Sequence, residues 1–257
     1  MQTLPGTVYG QANPFADTHW SVIVAAGKTQ ADPEIARAAL AQLCETYRPP
    51  LYTYVRSHGW SVHDAQDLTQ SFFAYLIERK IYAHTDPQKG KFRSFLLASL
   101  KHFLSHAREH EQALKRGGGR EFIPLDEGRA EEVESLFQTR SSFGSSALLK
   151  DKLFERTWAE TLVATALGRL AAAYKAEGKE NVFESFQMFL TVGADPLPTY
   201  SELAARRSVS ESTIRSRVTR LRAHYREMLR AEVRRTVDTD AEVDEELREL
   251  LRVLIEN

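Results

Sequence analysis

The amino-acid sequence predicts an all-α protein: two small helical domains joined by a flexible linker, the second ending in a helix-turn-helix, plus a C-terminal amphipathic helix. Apolar residues recur at helical spacing in several segments, as at Leu68, Phe72, Tyr75 and Leu76. Proline- and glycine-bearing stretches separate these segments. The predicted divisions are a disordered N-terminus (1–17), a first helical domain (18–113), an acidic, glycine-containing linker (114–150), a second helical domain (151–236) and an acidic amphipathic helix (237–257).

The first domain is predicted to begin with an apolar segment, residues 18–26, that docks on the body of the protein. Asp32-Pro33-Glu34 is typical of a helix start, because proline fits the first turn and acid favours the positive end of the helix dipole. Pro49-Pro50 are expected to end or kink this helix.

Two further helices complete the first domain. Ser61 is a candidate N-cap, with Asp64 three residues later in an arrangement close to a capping box. Acids in a first turn are usually dipole partners, so Asp64 and Asp67 have a structural interpretation as well as a functional one. After a turn at 86–90, a long helix mixes dense apolar positions with basic and aromatic side chains.

The second domain starts with helices between Asp151 and Leu190. Their apolar residues are expected to form its core, namely Trp158, Leu162, Leu167, Leu170, Phe183, Phe186 and Phe189.

Two helical patterns follow, separated by a break at Ser208-Val209-Ser210. Leu203 and Ala204 are predicted to face inward from the first, and Ser210 or Ser212 to cap the second. The second carries one apolar stripe at helical spacing, formed by Ile214, Val218, Leu221 and Tyr225.

Arginine and hydroxyl side chains on the opposite side of this helix are typical of a helix-turn-helix, whose second helix enters the DNA major groove. Arginine suits that role because its planar fork bonds two acceptors at once. The alternative is a solvated surface helix. An ordinary solvated face would mix positive and negative side chains. Lysines and carboxylates are scarce between Ser212 and Arg226, and this scarcity favours the DNA-binding interpretation.

Composition narrows the function classes. The formal net charge is −1, with arginines concentrated in 206–235 and acids in 126–134 and 238–249. The single cysteine, Cys44, excludes an internal disulfide and fits a reducing compartment. No apolar run spans a bilayer and no signal peptide is evident, so a cytoplasmic protein without membrane insertion is expected. No nucleophile elbow or dinucleotide loop indicates an enzyme.

Metal binding is considered because His102, His106 and His110 lie four residues apart on one helix. A structural zinc site needs four ligands, and the sequence offers neither CxxC nor HExxH. We therefore predict no metal site and a polar or phosphate-facing helix surface.

Five segments in order resemble bacterial sigma factors of the extracytoplasmic-function type: LYTYVRSHG, DAQDLTQSFFAYLIE, FRSFLLASLKHFLSHARE, KRGGGREFIPLD and YSELAARRSVSESTIRSRVTRLRAHYRE. The likeness covers about residues 20–257 and is closest to a branch with an acidic helical tail. Its most specific parts are DAQDLTQ and STIRSRVTRLR.

The resemblance implies a non-enzymatic factor without a cofactor, which binds core RNA polymerase and directs promoter-specific initiation. The residues implied in polymerase binding are Asp64, Asp67, Leu68, Gln70 and Phe73. Those implied at the promoter −10 element are Lys91, Phe92, Arg93, Phe95, Lys101, His102 and His106. Those implied at the −35 element are Ser212, Thr213, Arg215, Ser216, Thr219 and Arg220, with Arg217 and Arg222 suited to phosphates. The free chain is expected to be a monomer. An anti-sigma factor or a regulatory kinase is expected as a further binding partner.

One alternative stays open: a stand-alone helix-turn-helix regulator that binds DNA without polymerase. The tail carries an apolar stripe with Val243, Leu247 and Leu250 against an acidic face. Because of its charge, we expect it to fold back near the arginine helix and to damp DNA binding by the free protein.

Overall fold

The computed structural model describes residues 33–79, 91–114, 146–190, 197–237 and 239–256, and regular structure within these ranges is helical throughout. The helices are α1 (Pro33–Ser57), α2 (Val62–Glu78), α3 (Phe92–Leu114), α4 (Ala147–Ala176), α5 (Glu180–Phe186), α6 (Tyr200–Arg207), α7 (Glu211–Arg234) and α8 (Asp240–Ile255), with a 3₁₀ turn at Gln187–Phe189. The all-α prediction is confirmed for these residues. Each helix described is too short or too polar to span a bilayer.

Several sequence predictions lie outside the described residues. They are the disordered N-terminus (1–17), the docking segment (18–26), the turn at 86–90 and nearly all of the linker (114–150).

Helix α1 runs without interruption through Pro49 and Pro50, so the two helical pieces expected on either side of them are one element. A proline inside a helix removes an N–H and crowds the preceding turn. Burial offsets that loss here, because Tyr47, Leu51 and Val55 are almost completely inaccessible to solvent. Packing therefore outweighs the local preference of the two prolines.

The predicted start of α2 is confirmed. The Ser61 backbone is extended, and its Oγ accepts a hydrogen bond from the Asp64 N–H at 3.1 Å. The Ser61 hydroxyl in turn donates to the Asp64 carboxylate at 2.6 Å. Phe72 and Leu76 of the predicted stripe are buried.

Helix α4 is the longest element, with 30 residues and a length of about 45 Å. Its N-terminal half packs on α1 and buries Phe154, Trp158 and Leu162 in a first core, which α2, α3, the end of α7 and α8 complete. Its C-terminal half contributes Leu170 and Tyr174 to a second core.

The expectation that Trp158 and Leu162 join the second domain's core is thus wrong. The apolar residues of α4 lie on several sides of the helix, a pattern that favours burial without indicating the neighbour. Periodicity alone could not assign each half to its core.

The second core joins the end of α4 to α5, α6 and the first half of α7. Phe183, Phe186 and Phe189 lie in it as predicted. So do the inward-facing residues of the two helices that follow, which are Leu203, Ala204, Ile214, Val218 and Leu221. Tyr225 is partly buried and contacts both cores.

A buried carboxylate links α7 to α4. Glu232 is 3% exposed and lies 2.8 Å from the Arg169 guanidinium and 3.0 Å from that of Arg235. Burial raises the pKa of Glu232, and Arg169 opposes this shift. Arg169 thus links the C-terminal half of α7 to α4, whereas Arg235 pairs with Glu232 from the C-terminal end of α7 itself.

Helix α8 folds back onto α4 and α7, as the charge pattern predicted. Val243 and Leu250 are buried in the first core. Asp244 pairs with Arg230, and Asp240 pairs with Arg234. Both arginines belong to the C-terminal end of α7.

Candidate nucleic-acid interface

Helices α6 and α7 meet at a tight turn. Thr199 and Glu202 form a capping box at the start of α6. At its end, Ser208 adopts the left-handed conformation, with φ 52° and ψ 41°. The Val209 N–H then donates to the Ala204 carbonyl at 3.1 Å. This pattern ends α6 and redirects the chain into the next helix.

Helix α7 begins behind a hydroxyl cap. Of the two candidates, Ser210 is the N-cap, and its Oγ accepts a hydrogen bond from the Thr213 N–H at 3.2 Å. The hydroxyls of Ser212 and Thr213 each lie 2.8 Å from the Ser210 Oγ. Thr213 is therefore part of the cap and only half exposed.

The outer side of α7 carries the predicted DNA-facing residues on one open surface. Those that border it are Ser212, Arg215, Ser216, Thr219, Arg220 and Ala223. All but the alanine are exposed, and Ile214, Val218 and Leu221 on the opposite side are buried. Between Ser212 and Arg226 the helix contains no carboxylate. The surface thus combines guanidinium donors with hydroxyl groups.

Arg215 has two contacts within the protein. Arg215 lies 2.8 Å from the Glu211 carboxylate, and its guanidinium carbon is 6.0 Å from the centre of the Tyr200 ring. The pair is well exposed, and such ion pairs stabilise a fold by at most about 1 kcal/mol. Arg215 can therefore exchange Glu211 for another acceptor at little cost.

Arg217 and Arg222, on the two sides of this surface, are more restrained by the rest of the protein. The Arg222 Nε donates to the Phe189 carbonyl at 3.3 Å, which connects α7 to the 3₁₀ turn. Arg217 is half-buried.

The residues predicted to contact the −10 element fall into two groups along α3. Lys101, His102 and His106 are exposed. The two imidazole rings are in tilted contact with centroids 4.5 Å apart, and Lys101 lies 2.7 Å from the Asp151 carboxylate. This group forms a basic, partly aromatic surface.

The second group lies at the start of α3 and is covered. Phe92 is buried edge-to-face against Tyr47, with centroids 5.4 Å apart, and Phe95 is half-buried beside it. Arg93 is only 4% exposed. In this conformation Phe92 and Arg93 are closed to an external ligand.

Arg93 is the centre of a network that joins three helices. Its Nε lies 2.5 Å from the Glu155 carboxylate of α4, and its Nη1 pairs with Glu246 of α8. Its guanidinium covers the ring of Trp158. Lys91 lies 2.7 Å from the other oxygen of Glu246.

Burial shapes the protonation of this network. Burial and the neighbouring Arg93 lower the pKa of Lys91. Burial also raises the pKa of Glu155, and Arg93 opposes the shift. Lys91 and Arg93 are both poorly solvated, so their positive charges require carboxylate partners.

The residues that the resemblance assigned to polymerase binding lie along α2. Asp64 is exposed, and Asp67 is half-buried and lies 3.1 Å from the Nδ1 of His63. Leu68 and Phe73 pack against the first core and remain partly accessible, and Gln70 is half-buried. Asp64, Asp67 and Leu68 follow i, i+3, i+4 spacing and share one helix face.

Two observations concern metal ligands and the single thiol. Among the residues described, no cluster of three histidine, cysteine or acidic side chains could hold a metal ion, and the side chain of His110 lies outside them. Burial raises the pKa of Cys44 to about 11, which disfavours the thiolate.

The sequence did not reveal Glu155, Trp158 and Glu246 as partners of Arg93. Each is separated from Arg93 by more than sixty positions, and no local pattern connects them. The acidity of the C-terminal helix was the one sequence feature that predicted an ion pair with another helix. It indicated the arginines of α7 as partners and not Arg93 of α3.

In comparisons with known proteins, no family model, no curated protein and no solved structure matches this chain.

Proposed function

We propose that this chain is a transcription initiation factor of the bacterial sigma type, which reads duplex promoter DNA through α7 and acts together with core RNA polymerase. The observation that supports it best is the outer face of α7, where exposed arginine and hydroxyl side chains occur without any carboxylate from Ser212 to Arg226. A fully solvated helix would gain stability by mixing charge signs.

The packing of α6 against α7 supports the interpretation of this pair as a helix-turn-helix. The tight turn at Ser208 and the shared core hold α7 against α6, so that the outer face of α7 enters the major groove. Arg215 and Arg220 reach guanine edges or phosphates, and Ser212, Ser216 and Thr219 bond to either base type. Arg222, already bonded to the Phe189 carbonyl, is better suited to a phosphate.

The first core carries the other two activities of a sigma factor. The exposed Lys101, His102 and His106 surface on α3 contacts the −10 element, because unpaired bases stack on rings beside a basic groove. The accessible face of α2 with Asp64 and Asp67 binds the polymerase.

A second candidate is a stand-alone regulator that binds DNA without polymerase. The observation in its favour is the burial of Phe92 and Arg93, which leaves part of the −10 surface covered. Such a protein needs only the α6–α7 pair for its operator.

Gel filtration with purified core RNA polymerase, followed by run-off transcription on genomic fragments, separates the two candidates. A sigma factor co-elutes with the polymerase and yields transcripts with discrete starts. A stand-alone regulator binds duplex fragments, does not co-elute and yields no such transcripts. Arg220→Ala is the matched variant, expected to co-elute normally and to lose the transcripts.

A further inference from the structure

Carboxylates of α8 form ion pairs with two basic side chains at the start of α3. Glu246 is 2% exposed and pairs with both Lys91 and Arg93, and Glu249 lies 4.0 Å from the Arg93 Nη2. Lys91 directly precedes α3, the helix that we assign to nucleic-acid binding, and Arg93 lies in its first turn. The last helix of the chain therefore covers part of that surface.

The guanidinium of Arg93 is oriented by α4 as well as by α8. Glu155 binds its Nε, and the Trp158 ring supports its flat face. Both of its Nη atoms are directed at the carboxylates of α8. Without α8, the arginine fork would keep its orientation and present two donors, the geometry in which arginine binds phosphate.

We propose that α8 is an intramolecular competitor of nucleic acid, with Glu246 in the place that a backbone phosphate takes on Lys91 and Arg93. The inference rests on the proposed function, because it takes α3 as a helix that binds single-stranded DNA. Both ligands offer anionic oxygens, so they cannot occupy these cations together.

In the closed state, in which α8 covers Lys91 and Arg93, α8 is also held by apolar contacts and by two further ion pairs. Val243 and Leu250 are buried, and Asp240 and Asp244 pair with arginines of α7. A binding site that is open in a small fraction of molecules has its apparent affinity reduced by that fraction. Weakening the α8 contact should therefore strengthen binding at α3.

The test uses the full chain and a fluorescent 20-residue oligothymidine, with affinity measured by fluorescence anisotropy. Glu246→Gln keeps the side-chain shape and removes the charge. We expect it to bind about tenfold more tightly than wild type, because the open fraction rises. The dependence on salt should also steepen, by about 0.7 for each further phosphate bound.

Glu256→Gln is the control, because it removes the same charge from α8 at an exposed residue that pairs with Arg252. It should bind as the wild type does. Equal gains in Glu246→Gln and Glu256→Gln would overturn the inference, since the effect would then be one of net charge alone. An unchanged affinity in Glu246→Gln would also overturn it.

A measurement on the wild type covers the case in which Glu246→Gln fails to fold. Hydrogen exchange of the amides of residues 240–255 should accelerate when saturating oligothymidine is added. Full protection of α8 with the oligonucleotide bound would overturn the inference. If the full chain binds duplex DNA through α7 but binds no oligothymidine, this inference is wrong and the proposed function stands. If the chain binds neither, the proposed function is wrong as well.

Discussion

The guanidinium of Arg93 lies over the indole ring of Trp158, with its central carbon 4.2 Å from the ring centroid. The two residues come from α3 and α4, which the sequence assigned to different domains. Glu155 and Glu246 complete the surroundings of the cation. One arginine therefore joins three helices in the first core.

Replacing Arg93 with methionine should lower the free energy of unfolding by about 3–5 kcal/mol, because it leaves Glu246 buried without its main partner. Urea unfolding followed by circular dichroism measures the change. The double variant Arg93→Met/Glu246→Leu should recover part of the loss, since an apolar pair replaces the ion pair while Glu155 and Lys91 each lose a partner. A single variant within about 0.5 kcal/mol of wild type would show that the network does not stabilise the fold.

The left-handed backbone at Ser208 leads to a second prediction. A non-glycine residue is disfavoured there, so Ser208→Gly should raise the free energy of unfolding by about 0.5–1 kcal/mol. Ser208→Val should lower it, because a β-branched side chain fits this conformation poorly. Ser201→Gly, in the exposed first turn of α6, is the control and should destabilise by about 0.5 kcal/mol. Equal losses in both glycine variants would contradict the role of the turn.

His58 predicts a pH dependence of stability. Burial lowers its pKa from the ordinary value of 6.5, and Lys150 and Arg108 add to this effect. Its Nδ1 donates to the Tyr54 carbonyl at 2.9 Å, and this hydrogen bond opposes the lowering of the pKa without reversing it. Below about pH 6.5 the unfolded chain binds more protons than the folded chain, so stability falls as pH falls towards the lowered pKa.

The measurement for His58 is urea unfolding between about pH 5 and pH 7.5. The wild type should lose stability on the acid side more steeply than His58→Asn, whose amide keeps a donor for the Tyr54 carbonyl. Identical slopes in the two proteins would remove His58 from the explanation.

Asp64 and Asp67 are predicted to bind core RNA polymerase. Replacing both with alanine should weaken binding by about tenfold or more, as for residues at the centre of an interface. The cap bond from the Asp64 N–H to Ser61 remains, so the melting temperature should change little. Glu78→Ala, at the exposed end of α2, is the control and should leave binding unchanged. A double variant that melts early would show that the acids are structural.

Local signals predicted much of this fold. Hydroxyl side chains satisfy free N–H groups at helix starts, which predicted the cap at Ser61 and a cap at Ser210 or Ser212, of which Ser210 is the one formed. The buried stripe with Ile214, Val218 and Leu221 followed from helical spacing. These features depend on residues within one or two turns of each other.

Long-range packing was not predictable in the same way. Helix α1 continues through Pro49 because the residues around Tyr47 are buried in the first core. The spacing of apolar residues in the sequence does not reveal that burial. The partners of Arg93 come from α4 and α8, and only tertiary structure brings them together. On α7, the spacing was sufficient to predict which side is exposed, because helix geometry fixes it.

In the proposed function, the outer face of α7 reads duplex DNA. A preferred site can be selected from a pool of random duplexes with the full chain bound to core polymerase, and the affinities of variants then compared on that site and on unrelated duplex. Arg215→Ala and Arg220→Ala should each lose about 1–3 kcal/mol on the selected site and much less on unrelated duplex. Arg248→Ala, on the exposed side of α8, should match wild type on both. Selection of no preferred site, or unchanged affinity of both α7 variants on it, would contradict the claim.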